Sequence, residues 1–259
     1  MMKRLHTPLY LLAGLVAASG AAQAQIKTDG LWRGSGGLAF SATSGNNRSN
    51  SLQLNADALR ATTADKITLG AAANYASNKN SGTKETTSNK WGMFGQYDFN
   101  LTPRLFAFGR LGLDGDELID LNLRSSVAAG LGYKLIDTKE TSFEVFGGVG
   151  YTTDKYDVAQ TIGNKTDTRF SRTSLYLGEA SSHQLSATTS FKQRLDLYPG
   201  LTGDKAKLAK FTASLNVAMS STLGLTLGVV DTYNSKPPAG AKKNDLGVFT
   251  GVTVKFGAV

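Results

Sequence analysis

The segment from Asp245 to Phe256 alternates between apolar side chains and side chains that are mostly small or polar. The first set consists of Leu246, Val248, Thr250, Val252, Val254 and Phe256. The intervening set consists of Gly247, Phe249, Gly251, Thr253 and Lys255. Because successive side chains of a strand point to opposite faces, this period of two predicts a strand with one apolar face. Such a strand is typical of a β-barrel that spans an outer membrane, with the apolar face toward lipid.

About twelve segments repeat this alternation, and tight turns alternate with longer polar connections between them. Segments 77–89, 114–120 and 155–170 are expected to be loops, the last being the longest. Short periplasmic turns alternating with longer external loops are the rule for outer-membrane barrels, and a soluble two-sheet sandwich gives no reason for them. The sequence therefore predicts an all-β fold, a single transmembrane antiparallel up-and-down β-barrel. Within the segment around 173–180, Tyr176 and Glu179 break the alternation.

The first 24 residues have the three-part layout of a secretory signal peptide. Lys3 and Arg4 precede an apolar run and an A-x-A site that ends at Ala24. The run is too short for a membrane helix, which needs about 20 apolar residues. We therefore expect a cleaved signal peptide at 1–24 and a barrel at 25–259, in the outer membrane of a Gram-negative bacterium.

Composition excludes several kinds of protein. The chain has no cysteine, so disulfides, thiolate metal sites and a lipoprotein anchor are not expected. The formal net charge is +8, from 28 basic and 20 acidic residues. Because these charges are scattered and the chain is expected to be exported, no nucleic-acid partner is expected.

Short motifs along the whole mature chain resemble those of one family. They are Trp32-Arg33-Gly34-Ser35, Thr43-Ser44-Gly45-Asn46, Leu121-Asn122-Leu123-Arg124, Gly130-Leu131-Gly132-Tyr133, Tyr233-Asn234-Ser235-Lys236-Pro237-Pro238, Lys243-Asn244-Asp245 and Lys255-Phe256-Gly257. In order and spacing they resemble the YdiY-like family of salt-induced outer membrane proteins, a domain of unknown function. The resemblance implies an outer-membrane location and osmotic regulation, and it implies no established biochemical activity.

The sequence predicts no enzyme, no cofactor and no metal site. His183, with Ser181 and Ser182 beside it, is the one histidine after the expected cleavage site, and it falls in a predicted tight periplasmic turn. A solvated histidine is expected there rather than the base of a serine nucleophile. The acidic residues of segment 114–120 lack the glycine-centred twelve-residue spacing of a calcium loop, so they are interpreted as a solvated loop. These residues are Asp114, Asp116, Glu117 and Asp120.

The inward-facing side chains are the remaining candidates for function. The predicted lumen-lining residues are Arg33, Asp57, Arg110, Arg124, Glu144, Lys192, Arg194 and Lys210, and the alternation adds Asp98, Lys134, Asp196 and Lys255. Basic residues outnumber acidic ones in this set, and a basic lining attracts anions. Barrels of about eight strands are filled by side chains, whereas about sixteen strands leave a wide channel.

Two hypotheses therefore stay open for an intermediate barrel. One is a narrow, weakly anion-favouring pore. The other is a structural or surface-interaction barrel whose lumen charges pair and close it. A barrel that holds a fatty acid or another small ligand is a third, less favoured hypothesis.

The last strand is expected to run from the outside to the periplasm and to pair with the first strand, 31–43. Gly251, Val254 and Phe256 have the spacing of a barrel-closing signal, although three residues follow Phe256. The expected partners are outer-membrane lipid and the barrel-assembly machinery, and the barrel is expected to be a monomer.

Overall fold

The computed structural model describes residues 27–43, 48–80, 83–238 and 241–257. Twelve strands account for most of them: β1 (Arg33–Thr43), β2 (Arg48–Ala61), β3 (Asp65–Asn80), β4 (Thr83–Asn100), β5 (Leu105–Asp116), β6 (Leu121–Asp137), β7 (Thr141–Ile162), β8 (Lys165–Gln184), β9 (Thr189–Pro199), β10 (Lys207–Ala218), β11 (Leu223–Asn234) and β12 (Asn244–Gly257). A 3-10 helix, Glu117–Ile119, follows β5. The predicted signal peptide lies outside the described residues. Among the described residues, no helix is long and apolar enough to cross a bilayer.

The twelve strands form one closed antiparallel barrel, in which each strand pairs with its neighbours in sequence. β1 and β12 complete the circle, with a register that runs from Arg33 opposite Gly257 to Leu38 opposite Val252. Closure leaves no open sheet edge, and hydrocarbon requires this because it offers no partner for backbone N–H and C=O groups. The predicted fold class, strand number and pairing of the first and last strands are confirmed.

The two faces of the barrel wall reverse the usual arrangement of a soluble protein. Large apolar side chains are exposed on the outer face, for example Leu131 (53%), Val149 (60%) and Val248 (70%). Charged side chains are buried on the inner face, for example Asp98 and Arg172 at 1% each. Soluble proteins mostly bury the first kind and expose the second. The outer face is therefore a lipid-contacting surface, and the inner face encloses a polar lumen.

The barrel has two unlike ends. Five tight turns lie at one end, here called the turn end: 62–64, 101–104, 138–140, 185–188 and 219–222. Arg33 and Gly257, which begin β1 and end β12, also lie there. The opposite end, here called the hairpin end, carries the extended hairpins β3–β4 and β7–β8.

The predicted loops at 77–89 and 155–170 are wrong, because both segments consist mainly of strand. β3 and β4 leave two residues between them, and the β7–β8 hairpin turns at 163–164. The segment 114–120 also differs, since β5 continues to Asp116 before the 3-10 helix. The start of β4 is exposed on both faces, so no apolar period reveals it. In the β7–β8 hairpin, Tyr156, Ile162 and Phe170 instead pack with Leu121 in a buried cluster.

Aromatic rings from β5 and β8 meet inside the barrel because the two strands between them carry glycine at the same level. Phe108, Gly130, Gly148 and Tyr176 are consecutive cross-strand partners. The ring centroids of Phe108 and Tyr176 are 5.5 Å apart. A Cβ atom on Gly148 would lie 2.0 Å from the carbonyl oxygen of Ala129, so the strands could not keep this approach. The buried cluster also contains Phe106, Ala128 and Phe146.

Replacing Gly132 by alanine is expected to lower the free energy of unfolding by about 1–3 kcal/mol, the usual cost of overpacking. The new Cβ would lie 2.1 Å from Cζ of Phe106, a fully buried ring. Gly109→Ala is the matched control, because a Cβ at Gly109 meets nothing within 4 Å. The control should change the free energy by less than about 0.5 kcal/mol. Urea unfolding in lipid vesicles measures both, and equal effects would contradict the packing argument.

Candidate functional site in the barrel lumen

Lys66 joins two carboxylates near the turn end of the lumen. Its Nζ lies 3.1 Å from the carboxylate of Asp98 on β4 and 2.9 Å from that of Glu144 on β7. β3 and β7 are four strands apart, so the contact with Glu144 crosses the lumen instead of following the wall. Lys66 also lies over the ring of Phe106, 5.7 Å from its centroid. These contacts fill the β3–β7 side of the lumen at this level.

Two arginines share one carboxylate in the centre of the barrel. Arg194 donates to Asp196 at 2.9 and 3.1 Å, and Nη2 of Arg110 lies 3.6 Å from the same carboxylate. Both arginines donate to Gln96, Arg194 at 2.9 Å and Arg110 at 3.2 Å. The Tyr176 hydroxyl donates to Asp196 at 2.5 Å. Since β9 and β4 are five strands apart, Arg194 spans the lumen. These five residues are called the central group below.

The guanidinium groups of the central group lie on aromatic rings. Cζ of Arg110 is 4.0 Å from the ring centroid of Phe94, and Cζ of Arg194 is 4.8 Å from that of Phe146. Cation–π contacts of this kind stabilise a cation away from bulk water. With two arginines and one aspartate, the central group has a net positive charge.

A second network lies nearer the hairpin end and is balanced in charge. Arg124 donates to both carboxylate oxygens of Asp154, at 2.7 and 2.9 Å. Arg172 contacts Asp154 at 3.1 Å and Asp204 at 2.8 Å. Because Asp204 belongs to the β9–β10 loop, its ion pair with the buried Arg172 anchors that loop to β8. Buried ion pairs of this kind are stable only while each charge keeps its partner.

The other part of the lumen wall, from β10 through β12 to β3, carries mostly small and polar side chains, with the ring of Phe249 lying over Gly228. Thr226 on β11 donates to Asn216 at 2.8 Å, and its hydroxyl lies 2.7 Å from that of Thr253. Asp57 and Ala72 face the lumen on β2 and β3 and are nevertheless exposed. Exposure of an inward-facing residue requires space for water beside it. The lumen is therefore filled on its β4–β9 side and has water-accessible space beside β2 and β3, whereas Thr226 and Thr253 are buried.

Three predicted lumen-lining residues lie near the turn end. Arg33 is at the rim and donates to Asp29 at 2.8 and 2.5 Å, and these hydrogen bonds lower the pKa of the Asp29 carboxyl. Asp57 accepts a hydrogen bond from Ser35 at 2.6 Å. Lys192 is exposed. They are separate from the central group.

Two exposed ion pairs cross the lumen at the hairpin end. Nζ of Lys210 lies 3.5 Å from Asp114, which joins β10 to β5. Lys90 pairs with Asp245, which joins β4 to β12. Exposed pairs contribute little to stability, so these contacts can separate at low cost.

Sequence reasoning placed Arg110 and Arg194 on the inner face, and the structure brings them together. It missed Lys66 and Arg172, because the segments assigned as strands began one residue too late at both places. Extending the alternation by one residue would have found them. It also missed Tyr176, whose signal was present as a break in the alternation of β8.

Two interpretations of isolated polar groups need correction. His183 lies in β8 and not in a turn, because the strand continues to Gln184. Its ring stacks on Phe191 with centroids 6.2 Å apart, and its Nε2 lies 3.2 Å from Oγ of Ser181. The acidic segment 114–120 is not a plain solvated loop, because Asp114 and Asp116 belong to β5 and Asp116 caps the 3-10 helix. No group of three acidic, histidine or cysteine residues able to hold a metal ion occurs in the part of the chain that the structure describes.

The residues of the predicted barrel-closing signal lie on β12, beside β1. The ring of Phe256 covers Gly34, where a Cβ atom would lie 2.4 Å from the ring. A Cβ atom on Gly251 would lie 2.6 Å from the carbonyl oxygen of Leu38, so glycine permits the close approach of the two strands. Val254 is exposed on the outer face. Recognition of these residues by the assembly machinery stays a prediction.

The closed sheet, the exposed apolar outer face and the polar lumen define the class: a membrane-spanning β-barrel of the outer-membrane type. The chain belongs to the family described as proteins of unknown function, DUF481, which matches residues 36–256. It is 28% identical over 175 residues to the uncharacterized protein YdiY of Escherichia coli (strain K12). That match covers 68% of this chain and 63% of YdiY, which is less than two thirds of the relative. The resemblance to the YdiY-like family is confirmed.

Several solved structures are similar to this chain over about nine tenths of its length. An outer membrane channel from Pseudomonas putida F1 is 12% identical, with a TM-score of 0.49 over 90% of this chain and 97% of that one. The translocator domain of the autotransporter NalP from Neisseria meningitidis is 10% identical, with a TM-score of 0.48 over 89% of each chain. The NanC porin is 10% identical, with a TM-score of 0.44 over 88% and 97%. These likenesses do not bear on function.

Replacing Arg172 by leucine is expected to lower the free energy of unfolding by about 3–5 kcal/mol, because Asp154 and Asp204 would lose their shared buried partner. Lys165→Leu, which breaks the exposed pair between Lys165 and Asp167, is the matched control. The control should change the free energy by less than about 1 kcal/mol. Denaturant unfolding followed by tryptophan fluorescence measures both. If the two variants lost the same amount, the network would not have the structural role described.

Proposed function

We propose that this protein forms a narrow aqueous pore in the outer membrane of a Gram-negative bacterium, with a weak preference for anions. The observation that carries the proposal is the unequal lumen, which is packed on the β4–β9 side and water-accessible beside β2 and β3. This arrangement leaves room for an off-axis path whose boundary on one side is the central group. Ions on such a path interact with the charges beside it, and these charges then set the selectivity.

The charges along this path favour anions by a small margin. The central group contributes +1, from two arginines and one aspartate. Near the turn end the inward-facing charges are those of Lys66, Lys134, Lys192, Lys255, Asp57, Asp98 and Glu144. Four lysines and three carboxylates again sum to +1. The network of Arg124 and Arg172 with their two aspartates is neutral, so the preference is weak.

A closed structural barrel is the second candidate, and the contacts across the lumen favour it. Lys66 reaches Glu144, and Lys90 reaches Asp245, from opposite parts of the wall. If such contacts keep the lumen shut in the membrane, the protein acts through its hairpin end. The β7–β8 hairpin is then the surface available for interaction.

Export, assembly and regulation belong to the same proposal. The signal peptide is removed after Ala24, the turn end faces the periplasm, and the hairpin end faces the outside. The barrel-assembly machinery recognises the strand that ends near Phe256, and outer-membrane lipid covers the apolar outer face. Osmotic regulation, which the family resemblance implies, would adjust the amount of such a pore to external salt.

The proposal predicts single-channel current steps in a planar bilayer, with a reversal potential that favours anions. Arg110→Gln should lower the ratio of anion to cation permeability about fifteenfold. One charge about 5 Å from an ion in water changes its energy by about 0.8 kcal/mol, in opposite directions for an anion and a cation, so the ratio changes by about 1.6 kcal/mol. Lys165→Gln is the matched control, since it removes the same charge from the exposed β7–β8 hairpin, where salt screens it.

Each outcome separates the two candidates. Folded protein without current steps would refute the pore and leave the closed barrel. Steps with a cation preference would refute the anion preference but keep the pore. Equal shifts in the two variants would show that Arg110 does not lie beside the conducting path.

A further inference from the structure

A group of polar side chains interrupts the apolar outer face on β8 and β9. It consists of Glu179, Ser181 and His183 on β8 and Gln193 on β9, here called the β8–β9 patch. Nε2 of Gln193 donates to the Glu179 carboxylate at 3.3 and 3.4 Å. His183 lies 3.2 Å from the Ser181 hydroxyl, and its Nδ1 lies 3.4 Å from the hydroxyl of Thr141.

The strand register places the patch on the lipid-contacting face, where Ser181 is buried and Glu179, His183 and Gln193 are partly exposed. Glu179 is the cross-strand partner of Val145 and Leu195, and Leu177, the next outward residue of β8, is 46% exposed. Gln184, the last residue of β8, lies five positions beyond Glu179, which corresponds to a height of about 12 Å in a tilted strand. The outward side chains around the Glu179 carboxyl are apolar on β7, along β8 and on β9, being those of Val145, Leu177 and Leu195.

An acidic side chain at this depth is costly in contact with lipid alone. Hydrocarbon offers no hydrogen-bond donor, and a carboxylate can accept about four hydrogen bonds. The two contacts from Gln193 are long for hydrogen bonds to an ionised group, which usually measure about 2.7–2.9 Å. Glu179 therefore has acceptor capacity directed outward from the barrel, where a further donor would stabilise it.

We propose that the β8–β9 patch is the surface through which two copies of this chain associate in the membrane. All copies insert in the same orientation, so a two-fold axis that relates them is parallel to the membrane normal. Such an axis brings residues of equal depth together. Glu179 and Gln193 touch each other within one barrel and therefore have nearly equal depth. Across the axis, the Gln193 amide of one copy faces the Glu179 carboxylate of the other.

The composition of the patch fits a second copy better than an unrelated protein. An isologous interface must be complementary to itself, and this patch contains both the acceptor and the donor. Leu177 and Leu197, which are cross-strand partners, lie next to it and supply apolar contact. Phe191 lies on the side of the turn end. The inference differs from the monomer expected from sequence. It is independent of the proposed pore, because each barrel encloses its own lumen.

Cysteine cross-linking tests the association directly, because the chain contains no cysteine. Leu185→Cys places a thiol in the β8–β9 turn below the patch, at a residue that is 60% exposed. Thr63→Cys is the matched control in the exposed β2–β3 turn, on the opposite side of the barrel. In intact membranes treated with a short bismaleimide, Leu185→Cys should give a product of twice the protein's mass. Its yield should exceed that of Thr63→Cys about tenfold.

A second comparison tests the polar pair itself. Glu179→Leu with Gln193→Leu removes the pair and leaves an ordinary lipid-facing surface, so the barrel should still fold and keep its heat-dependent migration on a gel. In the Leu185→Cys background, these changes should weaken self-association about tenfold.

Three results would overturn the proposal: no dimer from folded Leu185→Cys, equal yields from the two turns, or an unchanged yield without the polar pair. A cross-linked product of a different mass would also overturn it, because the patch would then bind another membrane protein.

Discussion

Closure of the sheet between β1 and β12 is the constraint on which the other features of this protein depend. In hydrocarbon an unpaired backbone group costs several kcal/mol, and the pairing of these two strands removes the edges that would carry such groups. Closure also separates the side chains into two sets with different surroundings. The outer set contacts lipid, whereas the inner set must fill or line a space whose width follows from the number of strands.

The inner set fills this space unequally. Glycines on β6 and β7 allow the aromatic rings of β5 and β8 to meet, and Arg194 lies on one ring of the resulting cluster, that of Phe146. A guanidinium between an aromatic ring and a carboxylate can remain charged away from bulk water. On the opposite side, beside β2 and β3, inward-facing residues such as Asp57 and Ala72 are exposed, so there is room for water. This difference between the two sides links the fold to the proposed pore.

The period of two predicted the strands, because lipid requires an apolar residue at every second position. The alternation of short and long connections, together with the N-terminal signal pattern, predicted that these strands form a membrane barrel. The lipid requirement ends where the strands leave the membrane, so the period of two did not reveal the extensions of β3–β4 and β7–β8. On β8, Tyr176 and Glu179 are the two residues that the sequence analysis identified as breaking the alternation. Tyr176 is an aromatic residue that faces inward over Gly148, and Glu179 is an acid that faces outward beside Gln193.

The sequence by itself determined which side chains face lipid and which face the lumen, since the alternation along each strand carries this information. The tertiary structure alone decided which inward charges meet. Lys66 reaches Glu144, 78 residues away, and Arg194 reaches Gln96, 98 residues away. These contacts join strands four and five positions apart, and they exist only because the ring closes. A local sequence pattern cannot predict contacts between residues so far apart in the chain. The filled and the water-accessible sides of the lumen could therefore be identified only in the closed barrel.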